Sequence, residues 1–310
     1  MNERLGFVVR RDRADQTIEG IRAVEEAGIG TAWTIMAGAG RDTPTLFAAA
    51  AMRTERVKLG TGIVPAFTRH PIGLAGQALT LHDLAPGRLR LGIGTSHAPV
   101  MRDALHLPFD RPLERLSEYL RVLRPALQTG KVEFAGEFYR VNVTLVGSAP
   151  ETPVLIAALR PNAFELAGRL SDGAISWLCP VPYLLDVARP ALERGAAAAG
   201  RPAPPLVAAI QVMPEPNRET VRESTRRSYG RYAQLPFYAA MFAAAGYPVP
   251  DGRLSDDLID AIVVSGDDDA IGEQLQRLLV QGLDELMIGL VPGPDPLAEE
   301  ARLLGILGRV

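Results

Sequence analysis

Apolar residues recur along this chain in two alternating rhythms: short unbroken runs, and longer stretches whose apolar positions fall three or four apart. Leu5–Val9 is a first run. Asp15–Ala27 follows with Ile18, Ile21, Val24 and Ala27 at helical spacing, and Gly28 stops it. Gly30–Met36 predicts a second strand, and Thr43 is expected to cap a helix with Pro44 in its first turn, running to about Arg53. Val57–Ile63 and Arg88–Ile93 predict the third and fourth strands, with a helix over Pro71–Leu84 between them and another over Asp110–Leu127 after them. Val132–Val141 centres on Ala-Gly and alternates, which predicts a small hairpin outside the main sheet. The alternation resumes with strands at Pro153–Ala158, Asp172–Leu178 and Leu206–Met213, separated by helices at Asn162–Leu170 and Pro182–Ala199. Residues 214–282 form a long, mainly helical excursion. Glu285–Leu290 supplies an eighth strand and a last helix follows.

Eight strands joined by helices predict an α/β fold, a (β/α)8 TIM barrel with a helical excursion before the last strand. A doubly wound open sheet is the alternative, and the length of the excursion is the feature that fits a barrel least. The 30 glycines and 25 prolines are spread along the chain, so residues 1–310 are expected to form a single domain. With 47% hydrophobic residues the composition is that of an ordinary globular protein. A formal net charge of −3 argues against a general nucleic-acid surface. The single cysteine, Cys179, excludes an intramolecular disulfide and suits a reducing cytoplasm. The apolar run near the start is too short for a signal-peptide core, and no run approaches the length of a membrane span.

In such folds chemistry gathers at the carboxyl ends of the strands. Gly60-Thr61-Gly62-Ile63-Val64-Pro65 ends the third strand; its glycine pair suggests a bulge or a close backbone approach, against an ordinary run into a loop. Gly92-Ile93-Gly94-Thr95-Ser96-His97 ends the fourth. It departs from a dinucleotide fingerprint at its sixth place and follows the wrong strand for one. A strand end where glycine lets a flat ring approach the backbone suits it better, with Thr95 and Ser96 as hydroxyl donors. His97 is the strongest titratable candidate, since an ordinary imidazole exchanges a proton near neutral pH; the bland alternative is a loop histidine bonded to backbone. His70 precedes Pro71 and closes its loop, His82 is structural on a helix, and His106 sits in a loop. No His and carboxylate spacing resembles a metal site. Ala158-Leu159-Arg160-Pro161-Asn162-Ala163 leads from the fifth strand into a helix whose free amides, with Arg160, would hold a phosphate; an ordinary turn is the alternative. Trp177 and Cys179 end the sixth strand and could line an apolar substrate pocket, or simply pack.

Together these residues resemble the luciferase-like monooxygenase superfamily, and particularly its branch using the deazaflavin coenzyme F420, the methylene-tetrahydromethanopterin reductase-like oxidoreductases. The resemblance is carried by Leu59-Gly60-Thr61, Arg69-His70-Pro71, Pro86-Gly87-Arg88 and Gly92-Ile93-Gly94-Thr95. It is carried also by Phe164 to Gly173 (FELAGRLSDG), and by the ending Gly282 to Leu286 with Pro292-Gly293-Pro294-Asp295-Pro296. It covers nearly the whole chain. It implies a barrel, commonly dimeric, that binds F420 or FMN at the strand ends. It further implies a cis peptide at Gly62–Ile63 forming, with Val64 and Pro65, a bulge behind the cofactor ring. Cofactor contacts are implied at Thr95 and Ser96, and a phosphate turn over Ala158–Ala163. The family's sugar-phosphate dehydrogenases carry Asp-His where this chain has Met36 and Ala37, and a glutamate where it has His97. Oxidation of a sugar phosphate by that pair is therefore disfavoured, and a reductase is expected, with His97 as general acid or substrate orienter. An FMN-dependent monooxygenase and a flavin-binding barrel without turnover are the alternatives. A small-molecule substrate, a homodimer and a cytoplasmic location complete the expectation.

Overall fold

A computed structural model describes residues 1–36 and 40–310. Eight parallel strands close on themselves: β1 (Asn2–Val8), β2 (Ile29–Thr34), β3 (Lys58–Thr61), β4 (Leu89–Gly94), β5 (Val154–Ala157), β6 (Gly173–Ile175), β7 (Leu206–Met213) and β8 (Glu285–Leu290). β8 pairs with both β1 and β7, and the ring closes where Leu206 and Val207 of β7 meet Ala174 and Ile175 of β6. Helices cover the outside, among them Ala14–Glu26, Thr43–Ala51, Pro71–Leu84, Pro112–Thr129, Pro161–Leu170, Asp268–Val280 and Pro296–Leu307. This is the expected (β/α)8 barrel, and the open-sheet alternative falls.

The interior is filled by a few large side chains. Trp33, fully buried, is flanked by Gly6 and Gly60: a Cβ on either would lie 2.3 and 2.4 Å from its indole. Around it pack Val8, Leu155, Ile175, Val207, Ala209 and Met287, one alternating face of five other strands. Below them the Arg90 guanidinium lies 5.0 Å from the Trp33 ring and meets Glu285 at 2.6 Å and Thr31 at 3.3 Å. This ion pair stoppers the amino-terminal end; its hydrogen bonds matter more than its charge, because desolvation offsets most of the Coulomb gain.

Several boundaries differ from expectation. Asp42, not Thr43, caps its helix, accepting from the Thr45 N–H at 2.9 Å. β3 stops at Thr61, whose hydroxyl donates to the Gly92 carbonyl at 2.7 Å. The Gly62–Ile63 peptide is cis, and pairing resumes at Val64–Pro65 against Ile93 and Gly94. β6 is shorter than Asp172–Leu178 because Val263–Ser265, arriving from the excursion, pairs with Gln211–Met213 where a longer β6 would run. The excursion therefore enters the barrel wall. Its helices before that strand are Arg218–Tyr229, Pro236–Ala244 and Asp256–Ile262, and Asp268–Val280 follows it. The hairpin is Lys131–Ala135 with Arg140–Thr144, and its turn is held by Glu118, which accepts from the N–H groups of Glu137, Phe138 and Tyr139. No helix among the described residues is long and apolar enough to cross a membrane.

Candidate functional site

Because the strands are parallel and the barrel closed, the segments after β3, β4, β5 and β6 all emerge at one end. Residues 62–65, 95–97, 158–163 and 177–179 thus share that end, and His97 and Asn162 lie on the same side of the barrel. Gly94 on β4 faces the bulge closely: a Cβ there would sit 3.1 Å from Ile63 Cδ1 and 2.9 Å from Ala157 Cβ. Ile63 packs on the interior cluster from above. The result is a shelf of backbone at the ends of β3 and β4; a Cβ on Gly62 would face inward, 3.4 Å from Met287 Sδ, so the two glycines let the bulge pack closely on the barrel.

β4 runs out through Thr95, which donates to the Ser96 carbonyl at 3.3 Å, and Ser96 takes a left-handed φ of 61°. That twist delivers His97, whose carbonyl accepts from Val100 and Met101 at the start of a π-helical segment. The imidazole is half-buried, with its ring centroid 6.1 Å from Tyr232 and 5.8 Å from Tyr238. Burial in this aromatic corner lowers the His97 pKa below the ordinary imidazole value, and the nearby Arg231 cation lowers it further. At neutral pH the imidazole is uncharged, so a hydrogen-bonding role suits it better than that of a standing acid.

At the end of β5, Ala158 donates to Ile175 at 2.9 Å and is buried, while the Leu159 carbonyl accepts from the Tyr183 hydroxyl at 3.1 Å. Arg160 is exposed, in extended conformation, and the helix begins at Pro161. The Ala163 N–H is already committed to the Arg160 carbonyl at 2.9 Å. The anion cradle is therefore narrower than expected: the Asn162 N–H and the Arg160 guanidinium. Both are free of intramolecular partners among the described residues.

After β6, Trp177 is half-buried, 6.2 Å from Tyr229, and its indole nitrogen has no partner among the described residues. Cys179 is fully buried, its thiol 3.6 Å from the Trp177 carbonyl and pushed up to about 12 by desolvation, which removes it as a nucleophile. His70 caps its helix, accepting from Ile72 at 3.2 Å. His82 lies on that helix and His106 is exposed. Met36 is buried against Arg69, and Ala37 lies outside the described residues. Among the described residues no cluster of three or more His, Cys, Asp or Glu could hold a metal ion.

Sequence reasoning missed part of this end. Arg10 lies two residues beyond the end of β1, with its guanidinium 5.4 Å from the Trp177 ring and 5.6 Å from Tyr229. Gln211, a lone amide in the apolar run of β7, is fully buried and accepts from the Tyr229 hydroxyl at 2.6 Å. That polar interruption was a visible signal. The tyrosines come from the excursion, where nothing in the spacing marks them. A cavity of about 620 Å³ opens at the opposite, amino-terminal end, lined by residues that include Glu3, Arg4, Lys58, Arg90 and Glu285. Lys58 pairs with Glu3 and Arg90 with Glu285, Arg4 is spent on the backbone carbonyls of Leu279, Leu283 and Asp284, and that end of a barrel serves stability rather than chemistry.

Comparison with known proteins bears on the family and the fold. A family profile described as luciferase-like monooxygenase matches residues 3–285. The F420-dependent glucose-6-phosphate dehydrogenase of Nakamurella multipartita is 31% identical over 83% of this chain and 77% of its own. The 5,10-methylenetetrahydromethanopterin reductase of Archaeoglobus fulgidus is 24% identical over 89% of each chain. Among solved structures, the coenzyme F420-dependent tetrahydromethanopterin reductase of Methanopyrus kandleri superposes with a TM-score of 0.79 at 22% identity, covering 98% of this chain and 97% of its own.

Proposed function

This chain belongs to the luciferase-like monooxygenase family, and we propose that it is an F420-dependent oxidoreductase working as a reductase of an activated C=C, C=N or C=O bond. The observation that carries the proposal is the composition of the barrel's carboxyl-terminal end. A backbone shelf at Gly62–Pro65 and Gly94 suits a planar ring, and Arg160 with the Asn162 N–H suits a phosphate. Residues 62–65, 95–97, 158–163 and 177–179 include no Asp or Glu to take a proton from an alcohol. That set fits the coenzyme and favours reduction over alcohol oxidation. The 31% identity to an F420-dependent enzyme supports the deazaflavin over FMN.

Bound in its reduced form, the deazaflavin supplies a hydride to an electron-poor carbon. The protein's own work is positioning. The shelf would support the ring, Thr95 and Ser96 would offer hydroxyl oxygens to it, and Arg160 would hold the tail. His97, neutral between Tyr232 and Tyr238, donates a hydrogen bond to the acceptor atom of the substrate and orients it; the proton that completes reduction comes from solvent or from the minor imidazolium population. Trp177, with the tyrosines of the excursion, excludes water from one side.

Titration of the purified protein with F420 and with FMN tests this. F420 is expected to bind at least tenfold more tightly, and its reduced form to be reoxidised on addition of an activated alkene, imine or ketone. Tighter binding of FMN overturns the choice of coenzyme.

A further inference from the structure

Arg10 stands at the open end of the barrel, exposed, with no carboxylate in salt-bridge range among the described residues. Residues 37–39 are Ala-Gly-Ala and bring none. Its neighbour Arg11 differs: it is paired with the buried Glu300. Arg10 instead lies over the rings of Trp177 and Tyr229, with part of its guanidinium engaged by the Tyr229 hydroxyl and its other N–H groups without a partner among the described residues. The polar atoms near it that lack partners among the described residues are donors as well: Trp177 Nε1, and Nε2 of the fully buried Gln211. Arg160 and Arg231, at the same end, are also exposed and unpaired among the described residues. A protein of net charge −3 thus gathers positive charge and unsatisfied donors where its substrate must enter.

One wall of this approach is aromatic. Trp177, Tyr229, Tyr232, Tyr238 and His97 form a continuous run of rings, with successive centroids 6.2, 6.2, 4.8 and 5.8 Å apart. A flat, conjugated ligand lies against such a run with little loss of freedom. Near Arg10 itself the side chains of Trp177, Tyr229 and Gln211 are uncharged, so the anchor matches a single negative charge.

We propose that Arg10, held between Trp177 and Tyr229, is the substrate anchor of this site, and that the substrate is a planar carboxylate. The proposal rests on the oxidoreductase reading for the word substrate, while the anion subsite stands on its own geometry. The rival source of the same chemistry is an acidic group of the coenzyme.

The test uses benzoate, its neutral isostere benzamide, and the non-planar cyclohexanecarboxylate, followed by the fluorescence of the protein's 2 tryptophans, with and without saturating F420. Benzoate is expected to bind about tenfold or more tightly than benzamide, as a charge-assisted contact gives. It should also bind more tightly than cyclohexanecarboxylate. Arg10→Ala should bring benzoate down to the level of benzamide, and Arg10→Lys should recover only part. F420 affinity should stay within about threefold in Arg10→Ala and fall in Arg160→Ala. Benzoate binding that Arg10→Ala leaves unchanged, or a dissociation constant above ~10 mM, overturns the anchor. A large loss of F420 affinity in Arg10→Ala assigns the arginine to the coenzyme and overturns it too. Equal binding of the two carboxylates overturns planarity. If wild type discriminates the three probes but binds no F420, the coenzyme assignment falls and the carboxylate site remains.

Discussion

His97 rests as a neutral imidazole because burial penalises its charged form and Arg231 adds to the penalty. His97→Ala is expected to lower turnover about a hundredfold with F420 affinity nearly intact. His97→Gln, which keeps a hydrogen-bond donor, should recover most of it; a glutamine variant as slow as the alanine one would show that the proton itself is needed. The same shift has a sign in stability. With the folded pKa below the unfolded one, His97 favours the folded state above the ordinary imidazole pKa of about 6.5. That contribution is lost as pH falls through the lowered value. Thermal unfolding followed from pH 7 to 5 should show a loss that His97→Gln reduces. Arg160→Ala should weaken F420 by roughly 1–3 kcal/mol, read by titration, and the remaining Asn162 N–H keeps binding from vanishing. At this scale the sequence was informative where a residue's chemistry is intrinsic, as with His97 and Arg160. It was silent where neighbours decide: the Ala163 N–H is spent locally, and Cys179 is inert through burial.

Strands and helices were legible in proportion to how far they depend on themselves. The helix Pro71–Leu84 and strands β7 and β8 fall at their expected residues, since proline, an apolar rhythm or a β-branched run marks both ends. β6 ends early for a reason outside its own residues, since it yields its partner to Val263–Ser265, whereas β3 stops at Thr61 inside its expected span. The barrel's filling also depends on pairs across strands. Trp33→Ala should cost about 3–5 kcal/mol by urea unfolding, because Gly6 and Gly60 leave nothing to collapse into the space. Gly92→Ala should destabilise by at least ~2 kcal/mol, since its Cβ would sit 2.0 Å from the backbone oxygen of Thr61, which cannot rotate away.

For the molecule as a whole, the strand-end rule located the face where chemistry gathers, and the excursion hid the rest of it. Tyr229, Tyr232 and Tyr238 reach His97 and Trp177 through tertiary contacts that no local pattern encodes. The excursion is braced by Asp260, which accepts from both Arg218 and Arg222, with Arg222 the main cause of its lowered pKa. Asp260→Ala should raise hydrogen exchange in Arg218–Tyr229 and Asp256–Ile262 while leaving exchange in β1, β2 and β8 unchanged; a uniform rise would mean that the excursion and the barrel open together. Because Val263–Ser265 is itself a stave of the barrel, the polypeptide before it behaves as a sewn-in panel, not a hinged door. New chain termini cut at the exposed turn near Gly246 should be tolerated, since both flanking halves stay stitched to the wall, one through β7 and the other through Val263. Excising the panel back to Gly266 would leave β7 with a bare edge beside β6, and such edges invite pairing between copies. Loop grafting that aims to change what this protein accepts should therefore exchange the tyrosine-bearing stretch and keep the seam.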